Sequence, residues 1–216
     1  MSANYYNNIV DSMTNTSRFH GFVDTKSLLI GVGCGFSSFL TDVVKDIASK
    51  LGVVNPKYQA FKTNAKNGAL AGDDQILIGQ EYAAALEHNS SPFTKEEVEG
   101  VLAHEIGHLA LDHPNSPLDE HCFDDLFDGR VKATSDEHRS CLAAANKEME
   151  KEADLFTLRN PSLGKKLIQV LKKWLLLDGP SAPVSIFDSH PTTEERLDYL
   201  TKAYCDKITY NDADLC

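Results

Sequence analysis

One stretch, TKEEVEGVLAHEIGHLALDH from Thr94 to His113, constrains the fold more than any other. Val98, Val101, Leu102, Ile106 and Leu109 recur at helical spacing and form one apolar side. Thr94 and Glu97 have the spacing of a capping box, which marks the helix start. Pro114 disfavours helical geometry in the residue before it, so the pattern predicts an end near His113. Any fold built on this helix must bury the apolar side. It must also accommodate His104 and His108, which lie four residues apart on one face.

Two imidazoles so placed can aim at a single point, and Glu105 is rotated from the first by about 100°, beside that point instead of on it. Metal-assisted hydrolysis needs this arrangement. Two neutral imidazoles hold Zn²⁺, and a nearby carboxylate takes a proton from the water that the metal activates. One catalytic zinc ion is the expected cofactor, because imidazole and carboxylate donors suit a tetrahedral site with one open position. His113 lies five residues past His108, about 140° off that face, and is not expected to reach the same ion from a regular helix. His121 and His138 fall in an acidic, irregular stretch, residues 114–143, and read as exposed loop histidines.

NKEMEKEADLF offers a third ligand. Glu150 and Asp154 lie four apart beside an apolar stripe of Met149, Ala153 and Phe156. Carboxylates at a core edge need partners. A metal ion and a histidine N–H are such partners, and Asp154 is spaced to orient a ligand histidine. Glu148 and Glu152 form a competing pair on roughly the opposite side and read as solvent-facing, so spacing alone favours Glu150 without deciding for it.

Around these segments the pattern predicts a mainly helical α+β domain with one small sheet before the His104–His108 helix. FLTDVVKDIASKLG reads as an amphipathic helix stopped by Gly52, and KYQAF, NGALA and QILIG as short strands between turn signals. Helices are expected from about Ala143 to Arg159 and from Ser162 to about Leu177. A last one is expected after His190-Pro191, where Thr192 and Glu195 repeat the capping-box spacing. Tyr5 to Met13 has helical potential.

Composition narrows the partners. A net charge of −11 argues against nucleic acid, whose binding needs clustered Lys and Arg. The most apolar run, residues 27–40, is 14 residues long, short of the about 20 that span a bilayer; membrane contact there is not expected. The start has no signal-like pattern, and the five cysteines are widely spread with no CxxC. The expectation is a cytoplasmic protein with reduced thiols, and a Cys205–Cys216 bond becomes possible if it is exported.

Taken in order, HEIGH, then E-x-x-A-D (Glu150 to Asp154), then S-H-P-x-x-E-E-R (Ser189 to Arg196) resemble the gluzincin zinc peptidases of the HtpX and CAAX prenyl endopeptidase group. The resemblance covers about residues 55 to 204. It implies a zincin-like metallopeptidase domain at 55–207, with a lead-in and helix at 1–54 and a tail at 208–216. It implies His104, His108 and Glu150 as zinc ligands, Glu105 as general base and acid, and Asp154 as the group that orients a ligand. It also implies that His190 and Arg196 face the active site, where both can stabilise an oxyanion. Without the resemblance, His190-Pro191 reads as a plain helix entry and Arg196 as an exposed helix charge.

Such peptidases lay an extended substrate on an edge strand before the active-site helix, a place that Asn67 to Gly79 occupies here. Gly68 separates Asn67 from Ala69, which departs from the usual N-A-x-A pattern. Relatives commonly carry membrane-spanning helices, and this sequence has no run of adequate length. The function so implied is a zinc endopeptidase acting on peptides or unfolded protein segments. The alternative is a latent or chaperone-like binding module, with His190 entering the metal's open position as one route to latency.

Overall fold

The computed structural model describes residues 35–72, 74–113, 135–178, 190–208 and 215–216. A short strand β1 (Gly35–Phe36) leads into helix α1 (Ser38–Lys50), where the Ser37 hydroxyl accepts from the Leu40 N–H at 3.3 Å and closes the first turn. Leu40, Val44, Ile47 and Ala48 of α1 enter the same core as every later helix. Gly52, at φ 79, provides the left-handed turn that stops it, as the sequence pattern expects.

Strands β2 (Gln59–Lys62), β3 (Ala69–Gly72) and β4 (Gln75–Ile78) follow, and the sheet order is β1-β2-β4-β3. β4 runs parallel to β2 and antiparallel to β3, which leaves β3 on the edge. Helix α2 (Gln80–His88) then packs Tyr82, Ala83, Ala85 and Leu86 inward. The sequence pattern does not predict it, because its cap residue Gly79 offers no side-chain hydrogen bond to mark the start.

Helix α3 (Lys95–Ala110) is the centre of the molecule. Its capping box forms as predicted, with the Thr94 N–H on Glu97 Oε2 at 2.8 Å and the Glu97 N–H on Thr94 Oγ1 at 3.2 Å. Val98, Val101, Leu102, Ala103 and Ile106 are all buried. The helix is covered on more than the one side that its periodicity suggests. Truncating Leu102 to Ala in such a site costs about 2–5 kcal/mol in general.

Helices α4 (Asp136–Thr157) and α5 (Pro161–Asp178) pack on it, and α6 (Thr193–Lys207) packs on those two. α4 begins well before Ala143, because the Ser135 hydroxyl caps it by accepting from the His138 N–H at 3.1 Å. His138 is therefore buried in a first helical turn, not exposed in a loop as its surroundings in sequence suggest. The Thr192–Glu195 capping box of α6 forms as expected. The expected Tyr5–Met13 helix, residues 27–34 and His121 lie outside the described residues.

Cys205 and Cys216 are joined by a disulfide, against the expectation of reduced thiols. Cys205, Ile208 and Leu215 pack at the edge of the core, so the bond ties the chain end to α6. No described helix is long and apolar enough to cross a membrane.

Candidate metal centre

The site is built where α3 meets α4. A Cβ on Gly107 would lie 2.8 Å from the Ala153 carbonyl oxygen and 3.0 Å from its Cα, so only glycine lets the two backbones approach this closely. Ala153 sits between Glu150 and Asp154, and the approach brings both carboxylates to the histidine face of α3. Substituting Gly107 by Ala is expected to push the helices apart. It should cost about 1–3 kcal/mol and weaken metal binding, which melting curves and chelator competition would measure together. An unchanged melting temperature with unchanged metal affinity would show that the close approach does not set the site.

Donor atoms of three residues converge. His104 Nε2 and His108 Nε2 are 3.1 Å apart. Glu150 Oε2 is 3.3 Å from His104 Nε2, and its Oε1 is 3.3 Å from His108 Nε2. Zinc bonds of about 2.0–2.2 Å at tetrahedral angles place ligand atoms roughly 3.3–3.6 Å apart, so this triangle fits such an ion with little adjustment. Two imidazoles and one carboxylate are also a donor set that zinc accepts.

Behind the triangle lies a buried ionic network. Asp154, with no exposed surface, has Oδ1 2.7 Å from His104 Nδ1. It accepts from Arg196 Nε at 2.8 Å, from Arg196 Nη2 at 2.6 Å and from the Tyr199 hydroxyl. Burial alone would raise the Asp154 carboxyl, but Arg196 and His104 outweigh burial and hold it down at about 2. Burial likewise opposes charge on His104, yet Asp154 and Glu150 lift its imidazole to about 10. Burial also works against a charged Glu150, and His190 with His104 more than offsets it, keeping that carboxyl well below the usual carboxylate range.

Glu105 is the exception among these acids. Burial raises its pKa, against the pull of His104 and His108 and a hydrogen bond from the Ala71 backbone. Ala71 belongs to β3, the edge strand. The Gly79 N–H bonds the Gly68 carbonyl at 2.9 Å, and Ala69 pairs with Ile78. Antiparallel alternation then assigns the ladder bonds to Gly68, Leu70 and Gly72 and turns the backbones of Ala69 and Ala71 away from β4. A raised carboxyl thus sits between the candidate ligands His104, His108 and Glu150 and a sheet edge.

His104, Glu105, His108, Glu150 and Asp154 come together as the sequence expects. His190 joins them at the rim, with Nε2 3.5 Å from Glu150 Oε1 and a side chain about a third exposed. Burial, with Arg196 nearby, pushes its imidazole down despite the attraction of Glu150. Arg196 sits differently from either expectation. It is 3% exposed, so it is no solvated helix charge, and its Nε and Nη2 are directed at Asp154 behind His104. Only Nη1 turns toward Glu150, at 3.9 Å from Oε2.

Two participants were missed. Tyr199 follows Arg196 by three residues and so shares its helix face, which is the signal that could have found it. His113 is not among the converging donors, as the geometry of a regular helix expects, but the helix is not regular there. Asp112 adopts φ 58, and that left-handed residue swings the His113 ring back to within 2.9 Å (Nδ1 to Nδ1) of His108. His113 Nε2 reaches Glu152 Oε2 at 3.1 Å, so Glu152 is only partly the solvent-facing residue expected.

Comparison with known proteins agrees with this geometry. The family model of Peptidase family M48 matches residues 38–119. Protease HtpX of Hahella chejuensis (strain KCTC 2396) is 33% identical over 73 residues, which cover 34% of this chain and 24% of that protein. The crystal structure of S. mikatae Ste24p aligns with a TM-score of 0.53 at 17% identity, over 90% of this chain and 56% of that one. The chain therefore spans about a quarter of the HtpX relative's length and just over half of the Ste24p chain's. Fold and donor set together define a zincin-like domain with a candidate metal site. Within that class, residues 38–119 are similar to Peptidase family M48 and a 73-residue stretch to HtpX, and the likeness to Ste24p bears on the fold alone.

Proposed function

We propose that the chain is a zinc endopeptidase acting on peptides or unfolded protein segments. The observation that carries this reading is the convergence of His104, His108 and Glu150 donor atoms at 3.1–3.3 Å beside the buried Glu105. Zinc, when bound by these three residues, supplies Lewis acidity and a water of lowered pKa. Asp154 accepts the Nδ1–H of His104, so the proton that a bound metal would displace is the one on Nε2. Glu105, raised by burial, takes a proton from water and returns it to the leaving amine. β3 is the edge of the sheet, and an extended substrate adds along that edge beside Glu105. Arg196 acts through Asp154, whose charge it balances.

His190, at the rim, donates to the oxyanion of the tetrahedral state. Replacing it by Ala is expected to lower kcat by roughly 10²–10³-fold with a smaller change in KM and no loss of bound metal. A rate that rises instead would favour the latent reading, in which His190, close to Glu150, obstructs the site. The disulfide at Cys205–Cys216 supports an oxidising working compartment in preference to the cytoplasm.

A mixed peptide library, incubated with the zinc-loaded protein and read by mass spectrometry, tests the reading. Cleavage at recurring residue pairs is the expected result. A protein that holds one zinc per chain and cuts nothing would instead be a binding module.

A further inference from the structure

We infer that His113 and Glu152 form a relay that orients His108 as a metal ligand, so that the two ligand histidines are held by two separate devices. The inference rests on the metal reading of the site and adds to it two positioning residues that touch neither metal nor substrate.

The hydrogen positions along the relay follow from its outer end. Glu152 ends in a carboxylate, which only accepts, and its Oε2 lies 3.1 Å from His113 Nε2. His113 Nε2 must then carry the hydrogen, which leaves Nδ1 of the neutral ring as an acceptor. That Nδ1 faces His108 Nδ1 at 2.9 Å, so His108 Nδ1 donates. A neutral His108 with its hydrogen on Nδ1 has its lone pair on Nε2, the atom that faces His104 Nε2 and Glu150. Each assignment forces the next, and the last is the tautomer that a metal requires.

The backbone is arranged to make this contact. The left-handed residue Asp112 ends the regular helix just before His113, whose ring returns to His108 on the face of α3. Glu152 arrives from α4 two residues after Glu150, so one helix supplies both the ligand carboxylate and the end of the relay. The His108 and His113 rings meet edge to face with centroids 5.0 Å apart, which leaves His108 little room to rotate.

The two devices differ in exposure. His104 has its carboxylate in direct contact, and Asp154 is fully buried and braced by Arg196 and Tyr199. His108 is separated from its carboxylate by an imidazole, with the His113 side chain 6% exposed and that of Glu152 48%. Removing Glu152 therefore disturbs little packing, which makes it a clean probe.

The test compares the full chain with His113→Phe, His113→Gln and Glu152→Ala variants. Zinc affinity is read by chelator competition, the visible spectrum by cobalt substitution, and folding by the melting temperature of the stripped proteins. His113→Phe should weaken zinc by roughly 10–100-fold and shift the cobalt bands. His113→Gln, whose amide both accepts and donates, should recover part of that loss. Glu152→Ala should weaken zinc with no change in the melting of the stripped protein. Wild-type affinity and spectrum in both His113→Phe and Glu152→Ala would overturn the relay. Should His113→Phe fail to fold, Glu152→Ala alone decides in the same way. A wild-type protein that takes up no zinc would overturn the metal reading, and the relay with it.

Discussion

Changing Glu105 to Gln should cut kcat for peptide hydrolysis by roughly 10²–10⁴-fold while zinc content and folding stay at wild-type values. The amide matches the carboxylate in size, so a side chain only 5% exposed is replaced without a cavity. Its oxygen still accepts the hydrogen bond from Ala71. What it cannot do is take a proton from water. Because burial raises the Glu105 carboxyl, the wild-type rate should fall as pH drops through that raised value, where the base becomes protonated. The variant's residual rate should lack that acid limb. Pre-steady-state rates across pH, with metal analysis on the same samples, would check both statements. A variant that cleaves as fast as the wild type would remove Glu105 from the chemistry.

The second large effect concerns stability. Asp154→Ala takes from the buried Arg196 guanidinium its nearest carboxylate and leaves Glu150 at 3.9 Å, and breaking a buried pair in this way costs about 3–5 kcal/mol. His104 loses its orienting acceptor at the same time, so zinc affinity should fall by roughly 10–100-fold. Asp154 is held at about 2 when folded, against about 3.9 for an unfolded chain. Its contribution to stability is thus fully present above the unfolded value and is lost as pH falls from about 4 toward 2. The variant should show a flatter stability profile across that window. Chemical denaturation at several pH values measures this. A variant within about 1 kcal/mol of wild type at pH 7, half or less of what this mechanism commonly costs, would show the pair to be dispensable.

How far the sequence alone carries can be judged residue by residue. The Thr94–Glu97 and Thr192–Glu195 capping boxes are local, each made within four residues, and both were readable. His104, Glu105 and His108 share one helix, so their geometry follows from helical rise and rotation alone. Glu150 and Asp154 required a partner helix to come close, and their spacing narrowed the choice without closing it. What the pattern could not convey depends on backbone exceptions and on distant packing. Helix α2 starts at a glycine with no side-chain cap. α4 begins inside an acidic run, where the Ser135 cap is hard to tell from a turn. Arg196 reads as an exposed helix charge in sequence, and it is buried against Asp154, which lies 42 residues earlier. His113 stays outside the ligand group as expected, but its contact with His108 follows the left-handed residue Asp112, which breaks the angular arithmetic of a regular helix.

The most direct test of the central claim, that His104, His108 and Glu150 hold the ion on which peptide cleavage depends, is a zinc titration of the chelator-stripped protein. Peptide cleavage and bound metal would be followed together, with His108→Ala as the control. Activity should vanish on stripping and return in step with uptake of one zinc per chain, and the control should regain neither. Cleavage that survives stripping, or zinc uptake that is unaffected by losing His108, would contradict the account.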